Sequence, residues 1–131
     1  MHSLHIRVDL AQIKQVLINL VQNAADSLTQ GGTVTLRARA DRRNLPPGET
    51  SVVILEVADT GAGIPPEVEK RLFDPFFTTK ETGTGLGLPI AARIVQKHGG
   101  ALQYQTQVNH GSTFGIVLPQ AFPTSPPPIT P

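Results

Sequence analysis

Two asparagines four residues apart, Asn19 and Asn23, could present amide oxygens side by side. Residues at that spacing stack on one helix face. Amide oxygens are hard donors, suited to a cation or to its waters. An equally open reading is that the pair bonds to a neighbouring loop, since asparagines half-buried in mid-helix need partners. Asp59 closes an apolar run and is followed by Gly61 and Gly63. A carboxylate there is costly unless it accepts hydrogen bonds. It either caps its own turn or accepts from an amino group on a flat ring that slides past the glycines. The third group runs from Phe73 to Gly87. It is an apolar hinge, a polar segment with Lys80, then alternating Gly83, Gly85 and Gly87. Glycines there let backbone approach a ligand closely. The helix that follows points unpaired N–H groups and a positive dipole end at them, which suits phosphate.

The elements that must position these groups follow from periodicity. Leu4, Ile6 and Val8 alternate as a short strand. Asp9 and Gln12 read as a capping box for a helix to about Leu28, with Leu10, Ile13, Leu17, Leu20, Ala24 and Leu28 as its buried stripe. Thr33 to Ala40 and Ser51 to Ala58 read as a hairpin, with Asp41 to Glu49 as its polar loop. Arg37, Arg39, Arg42 and Arg43 form either a solvated face or a partner patch. Pro66 to Leu72 suggests a short helix. A helix from about Leu86 to His98 buries Leu88, Ala91, Ile94 and Val95, with Gly99 and Gly100 stopping it and His98 as a cap residue. Ala101 to Gln107 and Ser112 to Leu118 read as a closing hairpin. From Pro119 onward the composition shifts to proline, which predicts a tail without ladder or helix.

Composition sets bounds. At 131 residues the chain predicts one domain. A net charge of +1 makes no electrostatic case for nucleic acid or an anionic membrane. No apolar run approaches the roughly 20 residues of a membrane span, no signal peptide is apparent, and the expected location is the cytoplasm. There is no cysteine, so thiolate metal sites and disulfides are excluded.

Four stretches, QVLINLVQNAA at 15–25, DTGAGIP at 59–65, FDPFFTTK at 73–80 and GTGLGL at 83–88, resemble in order the N, G1, F and G2 boxes of sensor histidine kinases. The closing IVQKHGG and GSTFGIVLP are also similar to that family. The F stretch looks most like the nitrogen-regulation type. The resemblance covers Leu4 to Pro119. It implies an ATP-binding catalytic domain over residues 1–119, followed by a tail at 120–131. The implied fold is a two-layer α/β sandwich, a mixed, mostly antiparallel sheet under about three helices. It further implies Mg²⁺ on Asn23 with Asn19 supporting, and Asp59 on the adenine amino group. The implied ATP site comprises Asn23, Asp26, Asp59, Gly61, Gly63, Ile64, Phe76, Lys80, Gly83, Thr84, Gly85, Leu86, Gly87, Leu88 and Ser112. Catalytic roles fall to Asn19, Asn23 and Lys80. The implied partners are ATP, a helical-hairpin phosphoacceptor domain and, downstream, a response regulator receiver domain.

His2, His5, His98 and His110 lack the acidic neighbour of a phosphoacceptor histidine. Related ATPases of the gyrase, mismatch-repair and chaperone kind place a Glu one turn before the metal asparagine as a base for water. Asn19 stands there, and an amide is a poor base. A non-catalytic, nucleotide-gated docking module is a further alternative. A dinucleotide fold is rejected, because the spacing at 83–87 is G-x-G-x-G and it follows no strand.

Overall fold

The computed structural model describes residues 3–45, 48–77 and 87–122. Its elements run β1 (His5–Ile6), α1 (Leu10–Asp26), β2 (Val34–Leu45), β3 (Gly48–Asp59), α2 (Pro66–Glu69), α3 (Gly87–Lys97), β4 (Ala101–Gln107) and β5 (Gly111–Ala121). Every ladder between these strands is antiparallel, in the order β1-β5-β3-β2, with β4 also on β5. This is the expected two-layer sandwich, with α1 and α3 on one face of the sheet.

Side chains directly opposite in antiparallel ladders share a face, so the register defines the core in rows. Leu55, Ile116 and Leu102 form one row, and Val57, Phe114 and Tyr104 the next. Ile13, Val16, Leu20 and Ala24 of α1 and Ala91 and Val95 of α3 cover them. Leu10, expected in the buried stripe, is 71% exposed, while Val16 is fully buried. At ~100° per residue the buried face centres on Ile13, Val16, Leu20 and Ala24, which leaves Leu10 on its flank.

Two boundaries differ from expectation. The described part of the Asp41 to Glu49 stretch, expected as a loop, is strand, because β2 runs to Leu45 and β3 starts at Gly48. Polarity and two prolines made this stretch look like a loop, yet its charges are paired across and along the hairpin. Arg39 bonds Glu56 at 2.9 Å and Asp41 at 3.0 Å, Arg43 bonds Asp41 at 2.6 Å, and Arg42 bonds Glu49 at 3.0 Å. The Arg42 backbone N–H, then Arg39, hold the Asp41 carboxyl below its usual range. Arg39 and Arg43 lie on one face of β2 and Arg42 on the other, and each is neutralised by a carboxylate of the hairpin. Likewise β5 continues past Pro119, and Gln120 and Ala121 pair with Ile6 and His5. Pro119 falls between the end of the β4 ladder at Val117 and the start of the β1 ladder, where a missing N–H costs little.

The capping box is half realised. Asp9 Oδ1 accepts the Gln12 N–H at 3.1 Å and caps α1. The Asp9 N–H donates to His98 Nε2 at 3.0 Å, and His98 Nδ1 lies 2.8 Å from the Ile94 carbonyl oxygen. One ring therefore ties the end of α3 to the start of α1. It can do so only as the neutral Nδ1–H tautomer, since the carbonyl must accept and the backbone N–H must donate. Long-range ¹⁵N–¹H spectra at mildly alkaline pH should show Nδ1 protonated. His98→Ala should lower stability by about 1 kcal/mol in urea melts. An Nε2–H tautomer would mean the link does not form.

Candidate nucleotide site

One row beyond Val57 and Phe114 the core face turns polar. Asp59 of β3 stands opposite Ser112 of β5, which stands opposite Thr106 of β4. The two-residue period of a strand points all three to the helix side.

Asp59 Oδ1 accepts the Gly61 N–H at 2.9 Å and the Ser112 N–H at 3.3 Å. The first bond is the turn cap that the sequence allowed. It occupies one oxygen, leaving the other able to accept from a ligand. Turn capping and amino-group recognition thus fit the same carboxylate. The Ile64 N–H donates to Thr106 Oγ1 at 2.8 Å, and that hydroxyl lies 2.8 Å from Ser112 Oγ. The Asn109 N–H donates to the Ala62 carbonyl at 2.7 Å. The loop after β3 is therefore fastened to the β4–β5 turn along its length.

That fastening explains two glycines. A Cβ on Gly61 would overlap Ser27 Oγ, and one on Gly63, at φ +74°, would overlap the Gln107 carbonyl oxygen. Both are required by packing against protein, whatever else passes them. Gly87 differs. Among the described residues a Cβ there meets only Asn19 Nδ2, at 4.0 Å.

An open cleft of about 770 Å³ is lined by Asp59, Ser112, Thr106, Tyr104, Glu69 and His110, among others. The Tyr104 hydroxyl donates to Glu69 Oε1 at 3.2 Å. Its ring stacks on Phe114 at 5.6 Å and meets Phe73 at 5.9 Å. Burial, then the Glu69 carboxylate, push the Tyr104 phenol upward.

On the helix side, Asn19 Nδ2 donates to the Gly87 carbonyl at 3.4 Å, and Gln15 Nε2 donates to Asn19 Oδ1 at 3.0 Å. Asn23 is half-buried one turn further on. Asp26 is exposed and accepts from Gln22 Nε2 at 3.0 Å. Leu88 is half-buried in the first turn of α3 and packs on the core. Phe76 is 75% exposed at φ +67° and does not line the cleft. Phe77 lies under the Arg71 guanidinium, 4.4 Å from its ring centre. Lys80, Gly83, Thr84, Gly85 and Leu86 lie outside the described residues. Thr106, Tyr104 and Gln15 escaped the sequence reading. The β4–β5 register would have placed Thr106 beside Ser112, and four-residue spacing would have placed Gln15 before Asn19.

Gly61→Ala and Gly63→Ala should each cost about 1–3 kcal/mol in urea melts. Gly87→Ala should melt like the parent and lose only ligand affinity. Tyr104 is the chain's one tyrosine, with no tryptophan, so ultraviolet absorbance follows its phenol alone. Its midpoint should lie above 10 in the folded chain and near ~10 in urea. Because the folded value is raised, the stability it contributes is complete below ~10 and lost as pH rises through the folded midpoint. Tyr104→Phe should remove that alkaline loss.

Comparison with known proteins places these features in context. A family model described as histidine kinase-, DNA gyrase B-, and HSP90-like ATPase matches residues 8–121. The chain is 44% identical over 126 residues to the sensor kinase CckA of Brucella abortus, covering 88% of this chain and 13% of that protein. It is 40% identical over 108 residues to sporulation kinase C of Bacillus subtilis, covering 82% and 23%. It thus spans less than a quarter of these relatives' length. Among solved structures it is similar to the nucleotide-free catalytic domain of the histidine kinase ThkA, with TM-score 0.70, 37% identity, and 87% and 70% of the two chains covered. It is also similar to full-length ShkA in complex with AMPPNP, with TM-score 0.74, 32% identity, and 92% and 24% covered.

Proposed function

This chain belongs to the histidine kinase-, DNA gyrase B-, and HSP90-like ATPase family and is the ATP-binding catalytic domain of a sensor histidine kinase, and from that premise we propose that it binds Mg²⁺-ATP and passes the γ-phosphoryl group to a histidine on a separate helical-hairpin domain. The observation that carries this reading is the pinned Asp59 carboxylate. One oxygen is held by the Gly61 and Ser112 N–H groups, which leaves the other aimed by the backbone. It accepts from the adenine amino group, where guanine would present an acceptor instead.

The site's donors suit magnesium. The half-buried Asn23, one turn beyond Asn19 on α1, carries an amide oxygen, and a metal that keeps several waters and binds phosphates needs little more. When bound, the ion neutralises charge on the phosphates. Lys80 and the glycine turn to Gly87 hold the triphosphate. In the transfer a nitrogen of the incoming imidazole attacks the γ-phosphorus, the bond to the bridging oxygen breaks, and ADP leaves. Such a reaction asks mainly for positioning and charge neutralisation. Transfer is favoured over hydrolysis because Asn19, neutral and engaged with Gly87 and Gln15, offers water no base. A response regulator receiver domain takes the phosphoryl group next, in the cytoplasm.

The chain with γ-labelled ATP should turn over little alone and label a supplied hairpin domain on histidine, giving an acid-labile, base-stable product. Asp59→Asn should weaken ATP binding roughly 10- to 150-fold, the equivalent of a charge-assisted bond of about 1.5–3 kcal/mol. Rapid turnover by the chain alone would favour the ATPase reading. An unlabelled hairpin would favour a docking module.

A further inference from the structure

We propose that Gln15 and Asn19 form a directional amide relay that sets the pose of the N-terminal end of α3, and that Gln15 is a positioning residue for the phosphate end of the nucleotide. The proposal rests on the ATP-binding reading above. It starts at the Gly87 carbonyl, which can only accept. Asn19 must therefore turn its NH₂ toward Gly87, at 3.4 Å. That choice points Asn19 Oδ1 the other way, and the group it meets, 3.0 Å off, is the Gln15 amide. Gln15 must in turn present its own NH₂. Each orientation is dictated by the last, so the amide assignment does not depend on telling nitrogen from oxygen.

The His98–Asp9 bond fixes the far end of α3, and the relay supplies at its N-terminal end the direction that the apolar α1–α3 seam lacks. Ile13, Val16 and Leu20 meet Ala91 and Val95 in an apolar seam, and apolar packing is non-directional. A slide or rotation of α3 of a few tenths of an ångström would cost that seam little. The same shift would move the N–H groups at the start of α3 off a phosphate. A bond to the carbonyl of the first residue of α3 resists it at the place where aim matters. Gln15 itself is exposed, so it has no packing duty. An exposed mid-helix glutamine should tolerate substitution with little change in stability.

The test uses calorimetry on the full chain, with Mg²⁺-ATP and with adenosine, which keeps the base but has no phosphates. In Gln15→Glu the ionised carboxylate cannot donate to Asn19 Oδ1. It instead draws the Asn19 NH₂ to itself and turns Oδ1 against the Gly87 carbonyl. ATP affinity should fall about tenfold at neutral pH, the scale of one hydrogen bond. Adenosine affinity and the melting temperature should be unchanged. Gln15→Met deletes the donor without reversing the relay, so it should lose less than Gln15→Glu. Once protonated, the carboxyl introduced by Gln15→Glu regains an O–H donor. The ratio of parent to Gln15→Glu affinity should therefore shrink as pH falls toward the ordinary glutamate range, about 4 to 5. Gln15→Met should show no such recovery. Equal ATP affinity in parent and Gln15→Glu overturns the relay, as does an equal loss for ATP and adenosine, or a loss as large in Gln15→Met. A parent that binds no ATP overturns the functional reading itself, and this proposal with it.

Discussion

The site depends on the register in which β3, β5 and β4 are paired. That register makes Asp59, Ser112 and Thr106 neighbours in one row. A slip of one residue would send all three to the opposite face. The register is in turn fixed by the two apolar rows beneath, Val57–Phe114–Tyr104 and Leu55–Ile116–Leu102, which only one alignment buries under α1 and α3. The carboxylate is thus aimed by the hydrophobic core one layer away, and its cost of burial is offset by two backbone N–H groups, that of Ser112 supplied by the same register and that of Gly61 by its own turn.

From this row outward the site is locked by close backbone contacts. The loop after β3 leans on Ser27 at the end of α1 and on the β4–β5 turn, and Gly61, Gly63 and Gly111 are glycines because backbone approaches too closely for a Cβ. Conformational freedom and ligand approach are the usual reasons to expect glycine in such a loop, and the sequence offers no way to tell them from protein packing. Gly87 is different in kind. Among the described residues nothing crowds it, and its carbonyl anchors Asn19. Gly61 and Gly63 therefore close the loop on the sheet, while Gly87 leaves room at the start of a helix.

The helix ends and the strand end at Asp59 were legible because they rest on local signals. Asp9 capping α1, the Gly99–Gly100 stop and the strand-end Asp59 all follow from neighbours within a few residues. What was not legible depended on partners distant in sequence. The polar stretch 41–49 looks like a loop until Arg39 is seen to pair with Glu56 across the hairpin. Pro119 looks like a strand end until β1 is seen to return to β5 at Gln120. Thr106 is an ordinary strand threonine until the hairpin register sets it against Ser112. His98 was readable as a cap, but its second bond, to Asp9, spans nearly the whole chain.

The polar face of α1 divides its labour along the helix axis, and that division bears on which chemistry the domain can perform. Asn19 spends both ends of its amide on protein, one on Gln15 and one on the first residue of α3. A side chain so used contributes geometry, and a neutral amide contributes no proton transfer. A family member whose corresponding side chain is a carboxylate has a base for water at the same place, but a carboxylate could not donate to the Gly87 carbonyl. Holding α3 from this position and activating water from it are therefore competing uses of one residue. With an asparagine the position goes to alignment, and in the proposed transfer the nucleophile arrives with the partner. In the proposed transfer the reactivity of the γ-phosphate is governed by how a second domain presents its imidazole, and this domain's own contribution is a nucleotide held in a fixed pose.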